Sequence, residues 1–354
     1  MAGVGELLEG KRVCICAGSG GVGKTTTSAA IALGMAARGL KVAVLTIDPA
    51  KRLANSLGLP ELGNEERRVD APVDGELWAM MLDAKATFDE LVELHAPDER
   101  TRDAILANRI YRELSSAVAG SQEYMAMEKL FELYHEGRYD LLVLDTPPTR
   151  NALDFLDAPR RLSAFIDSRS LQLFTTPGKL GLKVLGRGTG LVFAAMKRAT
   201  GVDVLDDLSE FFRSFGDMTE GFRERAERVN ALLADHRTAF VVVTSPSAAA
   251  IEEAGYFHHR LVEADLPFAG VVANRVHVAG NPVDPAALTD ALGERLGRKV
   301  ARTYEEQRLL AARDRENLDA LRRRLRRKPM IEVPHLDDDV HDVAGLERMN
   351  EFLF

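Results

Sequence analysis

Eight consecutive residues, Gly18-Ser19-Gly20-Gly21-Val22-Gly23-Lys24-Thr25, fit the spacing G-x-x-x-x-G-K-T, in which each residue type has a task. The glycines let the backbone wrap closely around phosphate oxygens and aim its N–H groups inward. Lys24 is placed to neutralise charge on the β- and γ-phosphates, and the Thr25 hydroxyl to ligate magnesium. An apolar run precedes the pattern and a helical pattern follows it, so a helix N-terminus adds its positive dipole end. The expected chemistry is binding of ATP or ADP with magnesium. A second apolar run, Tyr139-Asp140-Leu141-Leu142-Val143-Leu144-Asp145, ends in a carboxylate. Beside a phosphate loop, Asp145 is expected to support the metal.

These groups need a sheet to hold them. Short β-branched runs at 11–17, 41–47, 77–82, 139–144, 238–244 and 268–273 alternate with helical pattern. That alternation predicts an α/β fold, a mostly parallel sheet covered by helices on both faces. A helix over 25–38 follows the glycine loop, with Gly39 placed to cap it. Two stretches, about 85–136 and 160–236, are too long for simple crossovers and carry helical pattern. They are expected to form a helical subdomain inserted into a single P-loop domain spanning 1–354. Within the second, Leu205, Leu208, Phe211, Phe212, Phe215, Met218 and Phe222 recur three or four apart, one apolar helix face. Core packing explains such a face; a surface for a hydrophobic client or a partner subunit is the functional alternative. Near the C-terminus a charged helix is expected to begin around Thr303 and to end in the basic run Leu321 to Lys328. That run reads as a solvated face paired in part with Glu305, Glu306 and Glu316.

Composition sets outer limits. The chain has 354 residues, 46% hydrophobic and 28% charged, the balance of a globular protein with a sizeable core. A net charge of −8 argues against a nucleic-acid partner, because a phosphate backbone attracts basic surfaces. No apolar run is long enough for a membrane span, and residues 1–10 lack a secretory pattern; the expected location is cytoplasmic. Cys14 and Cys16 are the only cysteines. They sit two apart in a strand pattern, on one face, and read as buried small hydrophobes. Zinc or an iron–sulfur cluster would need other ligands and geometry, so neither is expected.

Details around the motifs narrow the class. The doubled glycine of Gly20-Gly21-Val22-Gly23-Lys24-Thr25-Thr26 resembles the deviant Walker A subgroup of P-loop ATPases, which act as nucleotide-sandwich dimers. Thr46-Ile47-Asp48-Pro49-Ala50 resembles that subgroup's first switch, and Asp145-Thr146-Pro147-Pro148-Thr149-Arg150-Asn151 its second. With the helical insertion and Val272-Ala273-Asn274-Arg275, the resemblance is to the anion-transporting ATPase family. That family includes the arsenical pump-driving ATPase and the ATPase that targets tail-anchored membrane proteins; the resemblance is nearest to a bacterial branch of uncertain role. It implies that residues from Gly20 to Thr26 hold phosphates and that Asp48 faces the magnesium–γ-phosphate end. It further implies that Asn274 reads adenine and that Pro334-His335-Leu336 close over the base.

Two departures from the family pattern bear on mechanism. The signature lysine, which reaches across the dimer to the partner's ATP, is replaced by Ser19, and the water-positioning aspartate of the targeting branch by Asn55. An amide can still orient water, as glutamine does in some GTPases, whereas loss of a cationic finger costs about 10³ to 10⁵ in rate. The family's zinc-binding cysteine pair and arsenite-binding thiols have no counterparts. The reading is therefore a dimeric ATPase switch, slow alone, a homodimer or more readily a heterodimer with a lysine-bearing relative, and coupled to a protein client. A non-catalytic regulatory subunit of a heteromeric complex is the alternative. A DNA- or membrane-positioning ATPase is disfavoured by the acidic balance.

Overall fold

A computed structural model describes residues 3–48, 50–108, 111, 121–146, 219–281, 283–326 and 328–354. Eight strands are present among them: β1 Val13–Ala17, β2 Lys41–Thr46, β3 Arg67–Arg68, β4 Glu76–Met81, β5 Leu141–Asp145, β6 Thr238–Thr244, β7 Phe268–Val276 and β8 Met330–Pro334. They form one sheet in the order β3-β4-β2-β5-β1-β6-β7-β8. Every neighbouring pair is parallel except β3 with β4. The central strands β1, β5 and β6 are buried at every residue. Successive strand residues point to opposite faces, so both faces of the sheet centre are covered. This is the α/β fold of a P-loop NTPase, as the alternation of strand and helix patterns predicts.

One face is packed by the helix that leaves the glycine loop. Cys14 and Cys16, Val42 and Val44, Leu141 and Val143, and Val241 and Val243 share an apolar cluster with Ala29, Leu33 and Ala36 of the helix Lys24–Ala36. Leu346, Met349 and Leu353 of the helix Val343–Leu353 complete it. Thr27 and Ser28 satisfy their buried hydroxyls by donating to the carbonyls of Gly23 and Lys24, at 2.9 and 3.0 Å. A side chain at Gly34 would stand 2.1 Å from the Phe354 ring, so glycine there permits close seating of the C-terminal residue. The two cysteines are free thiols 4.0 Å apart on the same face, where hydrogen bonding and burial push the Cys14 thiol up.

Internal contacts divide the chain into two compact units. One comprises Met1–Met81, Glu132–Leu153 and Leu233–Phe354 and holds the sheet; the other comprises Leu82–Phe131 and Asp154–Leu232. In the second unit the buried Glu128 pairs with Arg225, whose guanidinium lies 4.7 Å from the Phe131 ring centre. The Tyr111 hydroxyl donates to Asp89 at 2.6 Å. The apolar positions from Leu205 to Met218, the side chain of Phe222, Pro49, and the residues from Pro147 to Asn151 lie outside the described residues.

Two expectations about the C-terminal third are corrected. The charged helix runs Glu294–Arg324 rather than starting near Thr303, and a separate helix, Pro285–Leu292, precedes it. No residue of that first helix is buried, and its eight residues are too few for a helical period to stand out in the sequence. Glu305 and Glu306 do not pair with the basic run; they meet Arg308 and Arg302 on their own turns. At 1.5 Å per residue Glu305 lies about 25 Å from Arg322. Arg322 instead meets Asp319 and Glu332 of β8, and Arg324 meets Glu252. Among the described residues no helix is long and apolar enough to cross a membrane.

Candidate functional site

The C-terminal ends of β1, β2 and β5 meet at one point of the sheet edge. Parallel register sets Cys16 and Thr46 on either side of Asp145, the edge where open α/β sheets take ligands. β1 runs into the loop 18–23, where Gly18, Gly21 and Gly23 have positive φ and two of them also leave no room for a side chain. Gly18 has φ +151°, and a side chain there would stand 2.0 Å from the Val243 carbonyl. Gly23 has φ +90°, and a side chain there would meet Asn274 Nδ2 at 2.3 Å.

Four buried polar side chains, Lys24, Thr46, Asp48 and Asp145, form the floor with Thr25. Lys24 Nζ donates to the Ser19 carbonyl at 3.0 Å; burial lowers its pKa, and the carboxylates of Asp145 and Asp48 oppose that shift. Thr25 Oγ1 donates to Asp145 Oδ2 at 2.7 Å and Thr46 Oγ1 to the same oxygen at 2.9 Å. Thr46 Oγ1 in turn accepts the Asp48 backbone N–H at 3.2 Å. Burial pushes the Asp145 carboxyl up to about 6 despite the two threonine donors and Lys24. Its Oδ1 is buried and has no hydrogen-bond partner among the described residues. Asp48 Oδ1 caps Ala50 N at 3.0 Å, and Oδ2 lies 3.7 Å from Arg52.

A cavity of about 660 Å³ opens over this floor. It is lined by Gly21, Gly23, Lys24, Thr25, Thr26, Asp48 and Asn55, and also by Asn274, Pro334, His335 and Leu336. Residues named from four separate parts of the sequence thus share one space. Gly18, Ser19, Gly20, Val22 and Asp145 do not line it. Ser19 and Val22 act through their carbonyls, the latter accepting from Asn274 Nδ2 at 3.0 Å. Asn274 Oδ1 accepts the Arg275 N–H at 3.0 Å, so part of its amide is engaged within the protein. Arg52, Asp338, Asp339 and His341 also line the cavity and were missed, and Thr146 and Arg275, which stand in the motifs quoted above without a role of their own, line it too. Arg275, at φ +61°, reaches the Gly21 carbonyl at 3.2 Å; its place directly after Asn274 was the only available hint.

The donor set suits a magnesium nucleotide. Among the described residues no cluster of three or more His, Cys, Asp or Glu could hold a metal by itself. Magnesium in a phosphate cradle needs no such cage, because a hydroxyl and a strand-end carboxylate suffice beside phosphate oxygens and water. Thr25 lines the cavity and Asp145 lies beneath it, accepting from the Thr25 hydroxyl; both are of the residue types such a site uses.

The family model of the anion-transporting ATPases matches residues 11–354. The chain belongs to the anion-transporting ATPase family. It is 28% identical over 248 residues to arsenical pump-driving ATPase 1 of Aquifex aeolicus, a provisional name, with 68% of this chain and 57% of that protein covered. To the ATPase GET3 of Malassezia globosa it is 26% identical over 262 residues, covering 74% and 71%. To the ATPase get3 of Aspergillus terreus it is 28% identical over 263 residues, covering 73% and 71%. The chain thus spans little more than half the length of the Aquifex relative. The resemblance read from the switch-like motifs holds at the level of the family, whose members are ATPases.

Proposed function

We propose that this chain is a magnesium-dependent ATP switch that binds nucleotide through its own cradle, hydrolyses slowly alone, and is completed by a related chain. The observation that carries the reading is the run of hydrogen bonds from Thr25 through Asp145 and Thr46 to Asp48. It ties the phosphate loop to the first switch-like segment, so a change at the γ-phosphate has a direct route to residues 48–55.

In this reading Thr25 and Asp145 hold magnesium, with Asp48 beside it. The ion, when bound, offsets charge on the β- and γ-oxygens. Lys24 and the amides of residues from Gly20 to Thr26 bind the phosphates. Asn55 orients the attacking water through its amide. Asn274 and Pro334-His335-Leu336 enclose the base. Ser19 supplies no cation to a partner's nucleotide, so a homodimer lacks the trans lysine at both sites. In a heterodimer with a lysine-bearing relative this chain's site receives one. The helical stretches at about 85–136 and 160–236 serve as an inserted subdomain that answers to nucleotide state and handles a protein client, in the cytoplasm.

The test is ATP turnover by the purified chain, alone and with a co-purifying relative. The expected result is slow turnover alone and an increase of about 10³-fold or more with the relative. Turnover of about 1 per second or faster by the chain alone would sink the reading. Nucleotide binding with no turnover in either case would favour a second reading, prompted by Ser19, of a non-catalytic regulatory subunit.

A further inference from the structure

Asp314 lies on the helix Glu294–Arg324 and is 1% exposed, an environment a carboxylate tolerates only with hydrogen bonds. Its Oδ2 accepts two from one residue, the His277 backbone N–H at 3.0 Å and the ring Nδ1 at 2.7 Å. Arg313 stands 3.5 Å from Oδ1. Oδ2 thus holds the ring at Nδ1 and the backbone beside it, one hydrogen bond each. That ring lies against His335, with centroids 5.6 Å apart and planes 21° apart. The His335 backbone N–H donates to the Val276 carbonyl at 2.9 Å. His335 lines the cavity; His277 and Asp314 do not.

We propose that His277 and Asp314 are positioning residues that set the His335 ring as a stacking platform for a purine base. The inference rests on reading the cavity as a nucleotide site. An imidazole on an exposed loop turns about two side-chain bonds, and ordering it on binding weakens affinity. Backing one face of His335 with a ring already fixed by a buried carboxylate moves that ordering into folding. The other face is left for a ligand, and a flat base is what an aromatic face takes best. The support is itself anchored to the same strand: Arg315 and Arg322 of the long helix meet Glu332 on β8, which leads directly to Pro334 and His335. Asn317 of that helix donates to the Pro246 carbonyl at 2.8 Å. A purely structural pair closing the root of segment 278–313 would affect every ligand alike. A positioning pair affects only ligands with a base.

Calorimetry on the full chain with magnesium and ATP, CTP or inorganic tripolyphosphate separates the two. Asp314→Asn and His277→Ala should each weaken ATP roughly tenfold, leave tripolyphosphate unchanged, and shrink the preference for ATP over CTP. His335→Ala should do the same, His335→Phe should retain the preference, and Asp314→Asn with His335→Ala should be no worse than either alone. Unchanged ATP affinity in the variants, or equal weakening of ATP and tripolyphosphate, would overturn the proposal. Should Asp314→Asn fail to fold, His277→Ala and the exposed His335→Ala carry the same comparison. A wild-type chain that binds tripolyphosphate without discriminating bases overturns this inference and leaves the phosphate cradle standing; one that binds neither removes both.

Discussion

The cradle at the ends of β1, β2 and β5 differs in construction from the ends of β7 and β8 and the loop beyond β8, although both line one cavity. In the cradle the working groups are buried and each is hydrogen-bonded within the protein: Lys24, Thr46 and Asp145 are 6%, 2% and 1% exposed. In the second region Arg275, His335, Asp338 and Asp339 are exposed, while Asn274 is buried. On the proposed reading charge recognition is built into the core, where removal of a partner leaves an expensive orphan. On the same reading base recognition is assembled at the surface, from side chains whose individual loss is tolerated. Substitutions should therefore cost much more in the first region than in the second.

The largest expected effect is at Lys24. Lys24→Ala should weaken ATP and tripolyphosphate alike by about 2–5 kcal/mol in titration calorimetry, the range for truncating one partner of a desolvated charge pair. Next is Asp145, where the sign depends on pH. Its folded carboxyl titrates at about 6 against an ordinary value of 3.8. The stability it contributes is present below the ordinary value and is lost as pH rises through about 6, because the folded state must then hold a buried anion. Without nucleotide, wild type should lose roughly 2–3 kcal/mol relative to Asp145→Asn between about pH 4 and pH 8 in urea unfolding. A pH-independent gap between the two would mean that the carboxylate is not desolvated as described.

Effects in the second region should be smaller. Asn274→Ala removes the donor to the Val22 carbonyl and should lower stability by about 1–2 kcal/mol. Arg275→Ala removes an exposed contact to the Gly21 carbonyl and should shift the unfolding free energy by under about 1 kcal/mol. If either matched Lys24→Ala in its effect on tripolyphosphate affinity, the contrast between a buried cradle and a more exposed second region would fail.

The same contrast explains what the sequence made legible. The cradle is encoded by eight consecutive residues and by carboxylates at strand ends, and β-branched runs announced the strands that place them. β6 falls at its expected residues, 238–244, because a run buried on both faces is apolar throughout. The second region depends on contacts between distant segments. Nothing local marks Asp314 as the partner of His277, and a histidine after a strand has no pattern of its own. The helix Pro285–Leu292 escaped notice because eight residues are too short a window for a helical period to stand out. Pairing partners of the basic run were misassigned because sequence proximity on a long helix does not specify which neighbouring strand or helix supplies the acid.

Titration of ATP into the purified chain with magnesium, and again with magnesium chelated, tests the central claim most directly. Wild type should bind ATP with measurable heat and bind it more tightly with magnesium, and Asp145→Asn should lose that difference while keeping metal-free affinity. Absence of ATP binding, or affinity indifferent to magnesium in wild type, would contradict a cradle in which Thr25 and Asp145 are arranged for the metal.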